Sequence, residues 1–332
     1  MSTDPGRCVA LPRSASRSVA LCLVALAACA PAAPESTGPL RLEPDPPLAA
    51  PAMRIVPSSA RGLEFLSVLL GPERFAALPE QAFEYASLGT DAPAFARLPR
   101  FYAYLAESVL AFEPDLVVAD PWQSNDTNLR LREAGVPLLI LPSAENWQQS
   151  AEVLDELGRI FGLEERAREA RADLEARVLA LAEAGLERVS LRILPYSNFG
   201  AQGYSAGTET TLDEMIRLAG MRNAAAESGR VGNGTMSFEE LLVLDPDVIV
   251  VSSPLHTPSS HAGDRGGAAR DLLRAEPVLA NLRAVREDRI VSMPPGLFAC
   301  ASQQVVTGAE VLAGEVDALL ARLQAQAPDV QR

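Results

Sequence analysis

The chain has no lysine and only two histidines, His256 and His261, among its 332 residues. Without lysine it holds no glycine-rich phosphate loop of the lysine-bearing kind. Gly229-Arg-Val-Gly-Asn-Gly234 is rich in glycine, but no strand feeds it as such a loop requires. Two histidines fall short of a bare transition-metal site, which wants several His and carboxylate ligands. There is no Gly-Xaa-Ser-Xaa-Gly elbow for a serine nucleophile. Positive charge is scarce: 29 arginines face 43 acidic residues, for a formal charge of −14. That balance disfavours nucleic acid or an anionic membrane surface as a charge-driven partner. Long apolar runs are missing too. The run Val19–Ala28 is about half of the ~20 residues a spanning helix needs.

What that short run does suit is the core of a signal peptide, since arginines stand before it at 7, 13 and 17. It ends in Leu26-Ala27-Ala28-Cys29, which resembles the bacterial lipoprotein box. The resemblance implies that residues 1–28 are removed and that Cys29 is acylated, leaving a membrane-anchored protein. Of four cysteines, Cys8 and Cys22 would leave with the signal and Cys29 would carry lipid. Only Cys300 remains, so no internal disulfide framework forms. Residues 29–52, rich in proline and alanine, are expected to be a semi-rigid tether.

Two stretches offset by 132 residues repeat one pattern. Glu107-Ser-Val-Leu-Ala-Phe-Glu-Pro114-Asp115-Leu-Val-Val-Ala119 matches Glu239-Glu-Leu-Leu-Val-Leu-Asp-Pro246-Asp247-Val-Ile-Val-Val251. Each reads as the last turns of an amphipathic helix, a proline stop, and a short strand covered on both faces. A duplicated unit needs a boundary, and residues 163–184 supply it. They contain neither glycine nor proline and are rich in Glu, Arg, Ala and Leu, predicting a helix of roughly 33 Å.

The domain plan is therefore an N-terminal lobe over 53–162, a linking helix over 163–186 and a C-terminal lobe over 187–332. In the first lobe, Arg54–Val56 predicts a strand, Ser58 or Ser59 a helix cap, Leu138–Leu141 a further strand, and Pro142-Ser143 the start of a helix with Trp147, Ala151, Leu154, Leu157 and Phe161 on one face. Residues 72–106 show no clear period. In the second, Arg188–Leu194 predicts a strand, Pro195–Tyr204 a polar and aromatic loop, and Thr210 or Thr211 a helix cap. Residues 289–292 read as a strand and 302–325 as a closing helix. The fold class is α/β: two doubly wound lobes with central sheets, joined by a long α-helix, with a ligand cleft between the lobes at the carboxyl ends of strands.

Taken together, the order and spacing of these motifs are similar to the helical-backbone substrate-binding lipoproteins of ABC importers for cobalamin, haem and ferric siderophores. The resemblance rests on Arg54–Val56 before a serine-rich helix start, both Glu…Pro-Asp copies, and Gly135-Val-Pro137 before a strand. The long helix and Thr211-Leu-Asp-Glu-Met-Ile-Arg-Leu-Ala-Gly220 complete it. It implies a monomer on the extracytoplasmic side, in the periplasm or cell envelope, that closes little on its ligand. It also implies that one glutamate per lobe, Glu107 and Glu239, docks onto arginines of the transporter's membrane subunits; Glu240 is a neighbour able to share that role.

Loops at the expected strand ends bring candidate ligand-binding residues: Ser58, Arg61, Trp122 and Asn125 from the first lobe. The second offers Tyr196, Tyr204, His256 and Phe298. Ser59, Gln123, Asn198, Phe199 and Cys300 stand close by in sequence. Aromatics with amides and few charges suit a large, flat, partly apolar ligand such as a metal chelate. Trp122 is the first choice for a ligand contact, with packing at the lobe edge as its plain alternative. Arg61 would meet an anionic group or lie on a helix surface. Cys300 reads as a small buried hydrophobe. Neither a bound metal ion nor a resident cofactor is expected, and the chain is read as a binding protein rather than an enzyme. The alternatives are a chelatase-like enzyme, which would rely on His256, and a ligand sensor that works without a transporter.

Overall fold

The computed structural model describes residues 40–88, 92–199, 202–253 and 267–326. Cys29, the signal segment, His256, His261 and the glycines of 262–266 lie outside the described residues. Leu40 onward forms one unit.

The N-terminal half runs β1 (Ile55–Pro57), α1 (Ala60–Leu69), β2 (Leu78–Pro79), α2 (Ala82–Tyr85), α3 (Ala92–Phe95) and β3 (Arg100–Phe101). It continues with α4 (Ala106–Leu110), β4 (Leu116–Ala119), α5 (Asn125–Glu133), β5 (Leu138–Ile140) and α6 (Trp147–Phe161). Strands β1, β4 and β5 pair in parallel with β4 central, and β2 pairs with β3 alongside. The run Leu-Val-Val-Ala of β4 is buried throughout, as a central strand covered on both faces must be.

Next comes α7 (Glu164–Ala184), then β6 (Arg192–Pro195), β7 (Ser197–Phe199), β8 (Gln202–Ala206), α8 (Thr211–Leu218), β9 (Arg222–Asn223) and α9 (Ala224–Glu227). The chain proceeds through β10 (Asn233–Met236), α10 (Phe238–Leu244), β11 (Val248–Ser252), α11 (Gly267–Ala275) and α12 (Arg283–Arg286). It closes with β12 (Ile290–Met293), α13 (Pro295–Phe298) and α14 (Val305–Gln326). The order β12-β11-β6-β9 is parallel throughout.

The duplicated motif is real in three dimensions. Helices α4 and α10 both begin one residue before the repeated glutamate, and strands β4 and β11 both begin two residues after the proline. The helices are shorter than expected, so each glutamate stands in the first turn rather than far upstream of a helix end. In each copy the residue before the proline is left-handed, Glu113 at φ 48° and Asp245 at φ 36°. The aspartate after the proline then caps the strand that opens its lobe. Asp115 accepts the Met53 and Arg54 backbone N–H at 2.7 and 2.9 Å, and Asp247 accepts that of Arg192 at 2.8 Å. The Arg54 and Arg192 side chains complete the knot, donating to the carbonyls of Phe112 and Leu244 at 2.6 and 2.8 Å. One arginine and one aspartate therefore tie the start of the first strand to the helix–strand corner in both lobes.

Helix α7 buries Ala167, Leu174 and Leu181 at seven-residue spacing, a single stripe on an otherwise polar rod. That stripe joins a hydrophobic cluster running from Phe65 and Leu116 in the first lobe to Met215, Val250 and Leu312 in the second. Ion pairs hold the flanks: Arg177 to Glu310 at 2.6 Å and Arg188 to Asp317 at 2.7 Å.

Four local expectations differ. The tether was drawn through residue 52, but Leu40–Ala52 lies against the first lobe. Asp45 exchanges two backbone hydrogen bonds with Leu138, and Leu42 and Ala52 are buried. The second-lobe strand begins at Arg192 rather than Arg188, because 185–187 makes a 3-10 turn after α7. Helix α6 starts after the Asn146 cap, which accepts the Gln149 N–H at 2.9 Å, rather than at Pro142-Ser143. The expected loop Pro195–Tyr204 contains the antiparallel pair β7–β8, which β10 extends.

Candidate functional site

Ser59 caps α1, its hydroxyl accepting the Gly62 N–H at 3.1 Å, and this fixes Arg61 in the first turn beside the carboxyl end of β4. There Arg61 donates to Asp120 Oδ1 at 2.6 Å, to the Ala301 carbonyl at 2.6 Å, and to the Pro142 carbonyl. Its guanidinium also lies 5.1 Å from the Phe65 ring centroid and 5.4 Å from that of Trp122. The Arg61 and Asp120 side chains are 4% and 1% exposed. The carboxylate anticipated for Arg61 is thus supplied by the chain itself. Removing one partner of such a pair would strand the other charge in the interior. Ala301 belongs to the second half of the chain, so this arginine also fastens the two lobes together.

Around it opens a cavity of about 540 Å³, walled from both lobes. The first lobe gives Arg61, Tyr85, Trp122 and the segment Ser143–Glu145. The second gives Tyr196, Tyr204, Thr211, Asn233, Ser252 and Phe298. Trp122, Ser143–Glu145, Tyr196 and Phe298 follow β4, β5, β6 and β12, and Ser252 ends β11, so much of the cavity sits at the carboxyl ends of parallel strands, as the α/β architecture dictates. Trp122 is 59% exposed, free to present ring surface to an occupant while Arg61 lies close to the ring. Helices α2 and α13 close one side. Gly296 lies so near the Tyr85 carbonyl that an added Cβ would collide with it.

Behind this wall lies a second polar junction. Glu64 Oε1 accepts the Ser87 N–H at 2.7 Å, and Oε2 accepts the Ser302 hydroxyl at 2.6 Å. Gln303 donates to the Glu64 carbonyl at 2.8 Å, and Gln304 to that of Ser87 at 2.8 Å. Burial pushes the Glu64 carboxyl up to about 7, against the opposing pull of Ser302, Ser87 and Arg61. Burial also pushes the Cys300 thiol well up, with Glu64 adding to the rise, which makes it an inert packing group.

Of the residues singled out in the sequence, Arg61, Trp122, Tyr196, Tyr204, Phe298 and Cys300 line the cavity together. Ser58 does not. It is fully buried, donating its N–H to the Val118 carbonyl at 2.8 Å and accepting the Asp120 N–H on its hydroxyl at 3.3 Å. Gln123 reaches back to the Ser58 carbonyl at 3.4 Å, and Asn125 is an exposed first residue of α5 away from the lining. Asn198 is buried within β7 without lining the cavity, and the side chain of Phe199 lies outside the described residues. His256 lies outside the described residues. Glu107 and Glu239 are both exposed at the second position of their helices. Glu240 is committed elsewhere. It accepts the Ser237 N–H at 2.8 Å in a capping box and pairs with Arg230 at 3.1 Å. These contacts hold its carboxyl below the usual range.

Sequence reasoning missed Tyr85, Glu145, Glu209, Asn233 and Ser252. Glu145 and Ser252 were within reach, since both follow strands that had been identified. Tyr85 and Asn233 sit on elements with no readable period.

The family described as "Periplasmic binding protein" matches residues 98–297. Cobalamin-binding proteins of two Halobacterium salinarum strains are each 34% identical over 145 residues, which is 43% of this chain and 39% of theirs. The match thus spans about two fifths of those relatives' length. An uncharacterized ABC transporter substrate-binding lipoprotein of Bacillus subtilis is 22% identical over 63% of this chain and 64% of its own. Among solved structures, a periplasmic haem-binding protein from Roseiflexus superposes with a TM-score of 0.68 at 23% identity, covering 80% of this chain and 97% of that one. By the extent of the family match, supported by a common fold of two lobes, this chain belongs to the periplasmic binding protein family.

Proposed function

We propose that the protein is an extracytoplasmic substrate-binding protein that captures a metal chelate, of the cobalamin, haem or ferric siderophore class, and delivers it to an ABC importer. The observation that carries this reading is the cavity of about 540 Å³ between the lobes, faced by Trp122, Tyr85, Tyr204 and Phe298, with Tyr196 fully buried behind the wall. Aromatic walls with scattered hydroxyls bind large, flat, partly apolar ligands. The names of the relatives, cobalamin-binding in one case and ABC substrate-binding lipoprotein in another, support the same reading.

In this account Glu107 and Glu239 are the docking points for the membrane subunits. They are matched, exposed, and without a salt bridge among the described residues. Cys29 is the acylated anchor, and the protein works as a monomer. Ligand binding needs no chemistry from the chain, so the protein acts as a carrier rather than a catalyst.

The test is a tryptophan-fluorescence titration of the purified protein with cyanocobalamin, haemin and ferric siderophores, corrected for inner-filter absorption. Saturable quenching at micromolar ligand is expected, weakened at least tenfold in Trp122→Ala while Trp147 still reports a folded chain. An absence of saturable quenching across the panel would sink the reading.

A further inference from the structure

Resting on the binding-protein reading, we propose that the cavity selects chelates that are neutral or cationic at their periphery, such as amide-bearing ones, and rejects polyanionic chelates. Three features there would ordinarily attract an anion: the Arg61 guanidinium and the N-termini of α6 and α8, each equivalent to about half a positive charge. Each has a carboxylate of this chain beside it.

Arg61 is the only cationic side chain on the lining among the described residues. It is committed to Asp120 and to two carbonyls, and its side chain is 4% exposed. The second oxygen of Asp120 is buried with no partner among the described residues. Withdrawing Arg61 toward a ligand would therefore leave a bare carboxylate in the interior, which holds the guanidinium in place. The pair presents no net charge to an occupant.

The helix ends are answered in the same way. Asn146 caps α6 and Thr210 caps α8, so one first-turn N–H of each helix is already satisfied. Immediately before each cap stands a glutamate on the cavity lining, Glu145 from the first lobe and Glu209 from the second. Both are exposed, and neither meets a cation in a salt bridge among the described residues. A full negative charge beside a half-positive helix end leaves the rim negative on both sides. Most of the remaining polar lining is uncharged, with Ser143, Ser197, Asn233 and Ser252 available to amide or hydroxyl groups.

The experiment compares chelates matched in scaffold but opposite in peripheral charge, by fluorescence titration of the full chain at low salt. The pairs are dicyanocobinamide with dicyanocobyrinic acid, haemin dimethyl ester with haemin, and ferrioxamine B with its N-succinyl derivative. Within whichever scaffold binds, the uncharged or cationic member is expected to bind at least tenfold tighter. Raising the salt concentration should narrow that ratio. The double variant Glu145→Gln, Glu209→Gln should also narrow it severalfold, chiefly by improving the anionic member. A carboxylate-bearing member that binds as tightly as its partner would overturn the selectivity while leaving the binding reading intact. So would a ratio unmoved by the double variant. If no member of any pair binds, the binding reading and this inference both fail.

Discussion

Glu64 shows how one side chain can be placed against its chemical preference. It sits in the first helix of the first lobe, yet its carboxyl is satisfied by Ser87 and by Ser302 at the base of the last helix. With its pKa raised by burial to about 7, the folded chain binds a proton that the unfolded chain has released. The contribution of this group to stability is therefore complete below about pH 4.5 and declines as pH rises to about 7, levelling off above that. The Glu64→Gln variant keeps an acceptor for Ser87 and offers a donor to Ser302. It should remove that slope and be more stable than the parent at pH 8 by on the order of 3 kcal/mol, with little difference at pH 4.5. Urea unfolding across pH 4.5–8 measures the difference, and parallel stability curves for the two proteins would contradict it. Arg61 teaches a related lesson. Sequence position marked it as a cavity residue, but only the fold reveals Asp120 beneath it, because the two stand 59 positions apart.

At the scale of elements, those with a clear apolar period or a cap were legible. The strands at 116–119, 138–140, 248–252 and 290–293, the long helix, and the caps at Ser59 and Thr210 follow directly from local chemistry. The antiparallel ribbon β7–β8–β10 was not legible. Its strands carry glycine, serine and asparagine, which lower strand propensity, and its pairing joins residues about thirty positions apart. Leu40–Ala52 escaped for the opposite reason. Its composition is that of a spacer, and only tertiary contacts with Leu138 and Glu156 pin it. The contact of α2 with α13 was equally hidden, yet it shapes one wall of the cavity. A Gly296→Ala substitution there forces a methyl group against the Tyr85 carbonyl. It should cost about 1–3 kcal/mol and weaken chelate binding by displacing Tyr85 and Phe298. Thermal melting and ligand titration read both effects. A variant of parental stability and affinity would show that the two helices separate freely.

Across the whole molecule, the two lobes share one hydrophobic cluster through α7, α8 and α14, and the Arg61 and Glu64 junctions add polar ties between them. Under the proposed docking role, a frame of this kind would hold two carboxylates at fixed places toward the membrane subunits. The duplicated motif carries Glu107 and Glu239 at equal places, and both are exposed in the first turn of their helices. The Glu107→Ala, Glu239→Ala double variant should bind chelate as the parent does but lose most transporter-dependent uptake in cells. Uptake at parental rates would remove these residues from the docking role. The central claim is that a metal chelate sits between the lobes against Trp122. Anomalous diffraction at the metal edge, from crystals grown with a bound cobalt or iron chelate, locates that metal directly. The account predicts one strong peak inside the cavity, with the chelate ring in van der Waals contact with Trp122 and flanked by Tyr204 and Phe298. A peak on the outer surface of either lobe, with the cavity free of chelate, would contradict it.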